Sequence, residues 1–143
     1  MVMHEFKICL AEWQSRKHSH IQGGRTMIER RRYVRVPFFC PLHLTVLPRG
    51  PTLPANSFDL GLGGVGLCAD IFLERGQEVL LRFHINHHGQ NVIDEEIFGR
   101  VAYSRADEDG NRIGVEFLEL LRDSTYPQLS QALNKELQGK NEY

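Results

Sequence analysis

Apolar and polar positions alternate along most of the chain between residues 40 and 118, with the period of two that marks strands with one buried face. Cys40 to Leu47 places Leu42, Leu44 and Val46 on one side and His43 and Thr45 on the other. Pro48-Arg49-Gly50-Pro51 is turn chemistry, and Leu53 to Leu60 returns as the partner strand, with Pro54 tolerated only at an edge or a bulge. Val65 to Ala69 reads as a short third strand before the turn Glu74-Arg75-Gly76-Gln77. The clearest alternation runs from Glu78 to Asn86, with Val79, Leu81, Phe83 and Ile85 opposite Leu80, Arg82, His84 and Asn86. A turn at His87-His88-Gly89-Gln90 leads into Val92 to Arg105, where Ile97, Gly99, Val101 and Tyr103 share a face. Asp107-Glu108-Asp109-Gly110-Asn111 suits a hairpin with positive φ, and Arg112 to Leu118 ends the series with Ile113, Val115 and Phe117.

The period then changes. Tyr126, Leu129, Leu133 and Leu137 recur at helical spacing, Pro127 falls in the first turn, and Asp123 or Ser124 is the expected N-cap. About six short strands followed by one helix predict an all-β fold: a small six-stranded antiparallel barrel with a C-terminal helix over its side or mouth. Residues 1–27 read as a flexible extension, 28–138 as the domain and 139–143 as a tail. Phe6, Ile8, Leu10 and Trp13 could form a short stripe, but Gly23-Gly24 is linker chemistry, and Met27-Ile28-Glu29 resembles a natural start.

Length and composition fit one domain with a core: 143 residues, 41% hydrophobic, net charge −1. That charge hides an asymmetry, since residues 1–36 carry eight Lys/Arg against three Asp/Glu and residues 37–143 nine against fifteen. A local anion site at the junction fits this distribution better than a surface for nucleic acid polymer. Three cysteines without CxxC spacing, Cys9, Cys40 and Cys68, are expected as free thiols, and the absence of an eighteen-residue apolar run points to the cytoplasm and away from membranes.

Candidate chemistry concentrates in two places. Arg25, Arg30, Arg31, Arg32 and Arg35 surround a single acidic residue, and guanidinium forks suit phosphate or nucleobase acceptors. Gly61-Leu62-Gly63-Gly64-Val65-Gly66 spells GxGxxG, but it neither follows a buried strand nor opens a helix, so a tight inter-strand turn is expected in place of a dinucleotide fold. His84, His87 and His88 lack further ligands at metal spacing and read as a solvated hairpin tip; Asp94-Glu95-Glu96 reads as a solvated edge. No metal site, no cofactor and no catalytic signature is expected, so an enzyme is not indicated.

Three ordered segments resemble the PilZ domain family. Arg31-Arg32-Tyr33-Val34-Arg35 fits RxxxR, Asp59-Leu60-Gly61-Leu62-Gly63-Gly64 fits (D/N)xSxxG except that Gly61 stands at the serine, and Arg112-Ile113-Gly114-Val115-Glu116-Phe117 looks like the family's last strand. The resemblance spans roughly residues 28 to 138. It implies a six-stranded barrel that binds cyclic di-GMP through Arg31, Arg35, Asp59, Gly61 and Gly64, with Arg30 placed to meet a second, stacked ligand molecule. It further implies an unidentified protein effector in motility, pilus, biofilm or exopolysaccharide control. A degenerate adaptor that binds only protein partners is the alternative, and the serine replaced by Gly61 is its basis.

Overall fold

In the computed structural model, which describes residues 33–87, 91–108 and 110–141, each alternating segment is a strand. The order is β1 (Val36–Pro37), β2 (Pro41–Val46), β3 (Thr52–Gly61), β4 (Gly64–Ala69), β5 (Glu78–His87), β6 (Asn91–Asp107), β7 (Gly110–Phe117) and α1 (Pro127–Asn141). Neighbours run β3-β2-β5-β6-β7-β4, and β4 pairs back onto β3. Six antiparallel strands therefore close a barrel, which removes the unpaired edges an open sheet would leave. The two-residue β1 adds to β3 beyond the end of β2.

The inward faces are those the alternation predicts except at Tyr103: a register shift between Val101 and Tyr103 sets Tyr103 opposite Gly114, out of phase with Val101 opposite Val115. Leu42, Leu44, Val79, Leu81, Phe83, Ile97, Val101, Ile113 and Val115 are all buried. Pro54 pairs with His43 on one side only, because the β3–β4 ladder ends at Ala55↔Ala69. A proline without an N–H is tolerated there. Gly110 adopts φ +139° at the β6–β7 turn, a conformation open to glycine at little cost.

One irregularity in β3 decides where a charge goes. In an unbroken strand Asp59 would share the inward face of Ala55 and Ser57, and Leu60 would point away. A bulge between Ser57 and Asp59 shifts the phase, so Leu60 joins the core and Asp59 lies opposite Gly66. Ser57, fully buried, accepts from the Cys40 N–H at 3.0 Å and donates to the Phe38 carbonyl at 2.7 Å, which ties the β1–β2 link onto β3.

The helix begins at Pro127, later than an N-cap at Asp123 or Ser124 would place it. Its first free N–H groups are satisfied from another element: the Glu95 carboxylate on β6 accepts from Gln128 N at 3.0 Å and Leu129 N at 2.9 Å. An acidic side chain at a helix N-terminus also faces the favourable end of the dipole. Sequence-local capping rules miss this because the cap comes from a strand 33 residues earlier. Asp123 instead accepts from the Ser130 hydroxyl. Leu129 and Leu133 are fully buried where the helix lies against β1 and β6.

Cys40 is free and buried, and burial pushes its thiol up to about 12. Cys68 is disulfide-bonded, a departure from the expectation of free thiols; linear spacing says nothing about which thiols the fold brings together. Cys9 lies outside the described residues. No helix among the described residues is long and apolar enough to cross a membrane.

Candidate functional site

β1 brings Arg35 to the glycine turn. Val36↔Leu60 and Pro37↔Asp59 pairing places Arg35, the residue before the strand, beside the loop that joins β3 to β4. That loop is a two-residue hairpin: Gly61 pairs with Gly64 and only Leu62 and Gly63 turn. Its carbonyls are held from the far side, Gly63 O by Phe117 N at 2.9 Å and Leu62 O by Leu121 N at 3.0 Å. The GxGxxG string is thus a tight turn, as its context predicts.

Asp59 is the centre of the arrangement. Its Oδ1 accepts from Arg35 Nη1 at 2.9 Å and from the Gly66 backbone N–H at 2.8 Å. The Asp59 side chain is 6% exposed and that of Arg35 23%, so a buried carboxylate is neutralised by a guanidinium that still reaches solvent. Such a pair is geometrically defined because both partners of the acid are fixed, one by backbone and one by β1. The guanidinium has five N–H donors in a planar fork, enough to serve an acceptor on its exposed edge as well.

The glycines have steric reasons. A β-carbon at Gly64 would stand 2.5 Å from the Val115 carbonyl oxygen and 3.0 Å from Arg35 Nη2. At Gly61 it would meet the Val34 carbonyl oxygen at 3.0 Å and Arg35 Cγ at 3.3 Å. At Gly66 it would overlap both Asp59 Oδ1 and the Phe58 ring, each at 2.7 Å. Phe58 in turn lies under the buried Arg112 guanidinium, 5.1 Å from the ring centroid, a cation over the negative face of a π system. Phe58, Gly66 and Arg112 did not stand out as site residues in the sequence. The last glycine of the GxGxxG string was the available signal for Gly66; nothing local marks Phe58.

Of the expected ligand residues, Arg35, Asp59, Gly61 and Gly64 come together here. Arg30 and Arg31 lie outside the described residues.

A second polar cluster sits on the outer wall. His84 stands in the middle of β5 and its Nδ1 is 2.7 Å from Asp94 Oδ1, while its Nε2 is 2.6 Å from His43 Nδ1 on β2. The expected hairpin tip therefore holds at most part of the histidine group, and His88 lies outside the described residues. Arg82 pairs with Glu96 at 3.0 Å, both well exposed. The acidic run divides three ways: Asp94 to a histidine, Glu95 to the helix, Glu96 to an arginine. Among the described residues no group of three or more His, Cys, Asp or Glu side chains is placed to hold a metal ion.

The sequence model of the PilZ domain matches residues 29–134, three quarters of the chain. The chain belongs to the PilZ domain family. Comparison with curated proteins gives no match. Among solved structures, the PilZ domain of YcgR from Escherichia coli, determined with c-di-GMP, is similar at 20% identity and TM-score 0.55, over 79% of this chain and 95% of that one. The inhibitor of motility MotI/DgrA from Bacillus subtilis gives 15% identity and TM-score 0.60 over 76% of this chain, which spans 52% of that protein. The PilZ domain of CeSA from a cellulose synthesizing bacterium gives 15% and 0.52, over 71% and 96%. At these identities the likeness is one of fold, and it agrees with a closed six-stranded barrel followed by a C-terminal helix.

Proposed function

We propose that this PilZ protein is a cyclic di-GMP receptor that signals to a protein partner by a change of surface. The observation that carries the reading is Arg35, the last residue of the first motif, lying beside Asp59, the first residue of the second, through the β1–β3 pairing. Membership of a family in which the YcgR domain was solved with c-di-GMP supports the choice of ligand.

In this reading Arg31 and Arg35 pair bidentately with phosphate oxygens or with guanine O6 and N7. Asp59 accepts from guanine N–H groups, Gly61 and Gly64 let the ligand approach the backbone, and Arg30 stacks against a second ligand molecule. The protein acts in the cytoplasm as a non-enzymatic switch. Its effector belongs to motility, pilus, biofilm or exopolysaccharide control, the setting of the MotI neighbour named as an inhibitor of motility.

Titration calorimetry with cyclic di-GMP tests the proposal. Saturable binding that weakens at least tenfold in Arg35→Ala is expected, since a charged bidentate contact contributes about 1.5–3 kcal/mol. Unaltered affinity in that variant would remove the assigned site.

One observation favours a second reading. Gly61 stands where the family carries serine, and Asp59 already has two internal donors. A ligand-independent adaptor would show no heat at high micromolar cyclic di-GMP yet retain its protein partner.

A further inference from the structure

The outer wall of β5 and β6 carries a row of apolar side chains between two rows of charge. Leu80 lies opposite Phe98 across the two strands, and the Leu118 N–H donates to the Phe98 carbonyl at 3.1 Å, so the three stand side by side. Phe98 is 50% exposed and Leu118 49%, on a face where alternation calls for polar residues. The next outward pairs along the strands are ionic: Glu78 with Arg100 on one side of the row, Arg82 with Glu96 on the other. The signs are crossed, since β5 presents Glu78 then Arg82 while β6 beside it presents Arg100 then Glu96. We propose that this strip is a self-complementary surface by which two copies of the chain associate, related by a dyad that runs along the Leu80–Phe98–Leu118 row.

The basis is symmetry. In a two-fold dimer a patch meets itself, so the dyad lies in the plane of contact and each residue faces the one at its reflected position. Reflection across the apolar row exchanges the two charged rows. Glu78 of one copy then faces Arg82 of the other, Arg100 faces Glu96, and Leu80, Phe98 and Leu118 each meet their own counterpart. Unlike charges are opposed at all four positions, and the apolar row leaves water along its whole length. A dyad along the strands would also oppose unlike charges, but it would set Leu118 against Thr45, the neighbour of Leu80 on β2, and so bury less apolar surface. Each guanidinium has five N–H donors, enough to keep its partner within the chain and accept a second carboxylate across the contact. Within each row the charges cancel, so the strip has no net sign with which to attract a uniformly acidic or basic surface. The matching pattern is its own. Because the contact involves few strands it is small, and association in the micromolar range is expected.

Sedimentation velocity of the full-length chain, from about 10 to about 500 µM, tests this without reference to any ligand. The wild type should move with concentration from the mass of one chain towards twice that mass. Arg82→Glu combined with Glu96→Arg keeps the net charge and the ion pair within the chain, yet opposes like charges across the contact; it should weaken the dimer about tenfold or more. Glu96→Arg combined with Arg100→Glu removes both pairs within the chain but keeps unlike charges opposed, and should dimerise at least as well as wild type. Phe98→Gln changes only the exposed apolar row and should also weaken the dimer about tenfold. Circular dichroism of each variant verifies the fold. A wild type that stays monomeric at the highest concentration would overturn the proposal. So would a dimer left intact by Phe98→Gln and by the first charge exchange, because another surface would then hold it; a folded but monomeric second exchange would overturn the dyad.

Discussion

The barrel carries two polar clusters built from similar parts, and they differ in what surrounds them. On the outer wall His43, His84, Asp94, Arg82 and Glu96 pair across adjacent strands in contact with water. At the glycine turn Arg35, Asp59 and the Gly66 amide pair across segments 24 and seven residues apart, with the carboxylate removed from water. Register alone places the first set: His43 opposes Arg82, and His84 opposes Asp94. The second set needs a bulge, a two-residue strand and glycines that permit close approach. Cross-strand charge on a barrel wall is therefore a by-product of alternation, while the charge at the turn is placed by departures from it.

Substitutions should separate the clusters. Asp59→Ala leaves the Gly66 amide and a partly buried guanidinium without their acceptor and should cost about 2–3 kcal/mol in urea denaturation. Asp59→Asn keeps an acceptor oxygen and should cost clearly less; equal losses would mean that charge, and not hydrogen bonding, holds the turn. Gly64→Ala pushes a β-carbon onto the Val115 carbonyl and should cost about 1–3 kcal/mol, read as a lowered Tm.

The buried side of the comparison also has a pH signature. Cys40 lies in the link that Ser57 ties down, and its thiol is raised from 9.0 to about 12 by burial. The unfolded chain loses this proton first as pH rises, so stability present below pH 9.0 declines between there and about pH 12. At pH 10 the difference is on the order of 1 kcal/mol. Urea midpoints at pH 8 and pH 10 should therefore differ less in Cys40→Ala than in wild type. The smallest effect is expected on the outer wall, where Glu96→Ala should change stability by less than about 1 kcal/mol. A larger loss would mean that the exposed network is more than a consequence of register.

These contrasts explain how much was legible in the sequence. Alternation located β2 and β5 to β7 because each buries one face, and the change of period at Tyr126 located the helix. The two-residue β1 was not legible, since Val36-Pro37 is too short to show a period and pairs only because β3 outruns β2. Glu95 read as an exposed acid because its partner is a helix terminus distant in sequence. At the site, motif spacing brought Arg35 and Asp59 to notice, and their direct ion pair depends on a bulge that alternation does not announce. Gly61 read as a missing hydroxyl; in the fold it is also the absence of an obstacle beneath Val34.

In the proposed reading, the glycine turn and Arg35 form part of a cyclic di-GMP site. A calorimetric titration of wild type beside Arg35→Ala tests it most directly. Saturable binding to the wild type is expected, weakened at least tenfold when the guanidinium is removed. No binding at high micromolar ligand, or equal affinity in the two proteins, would contradict it.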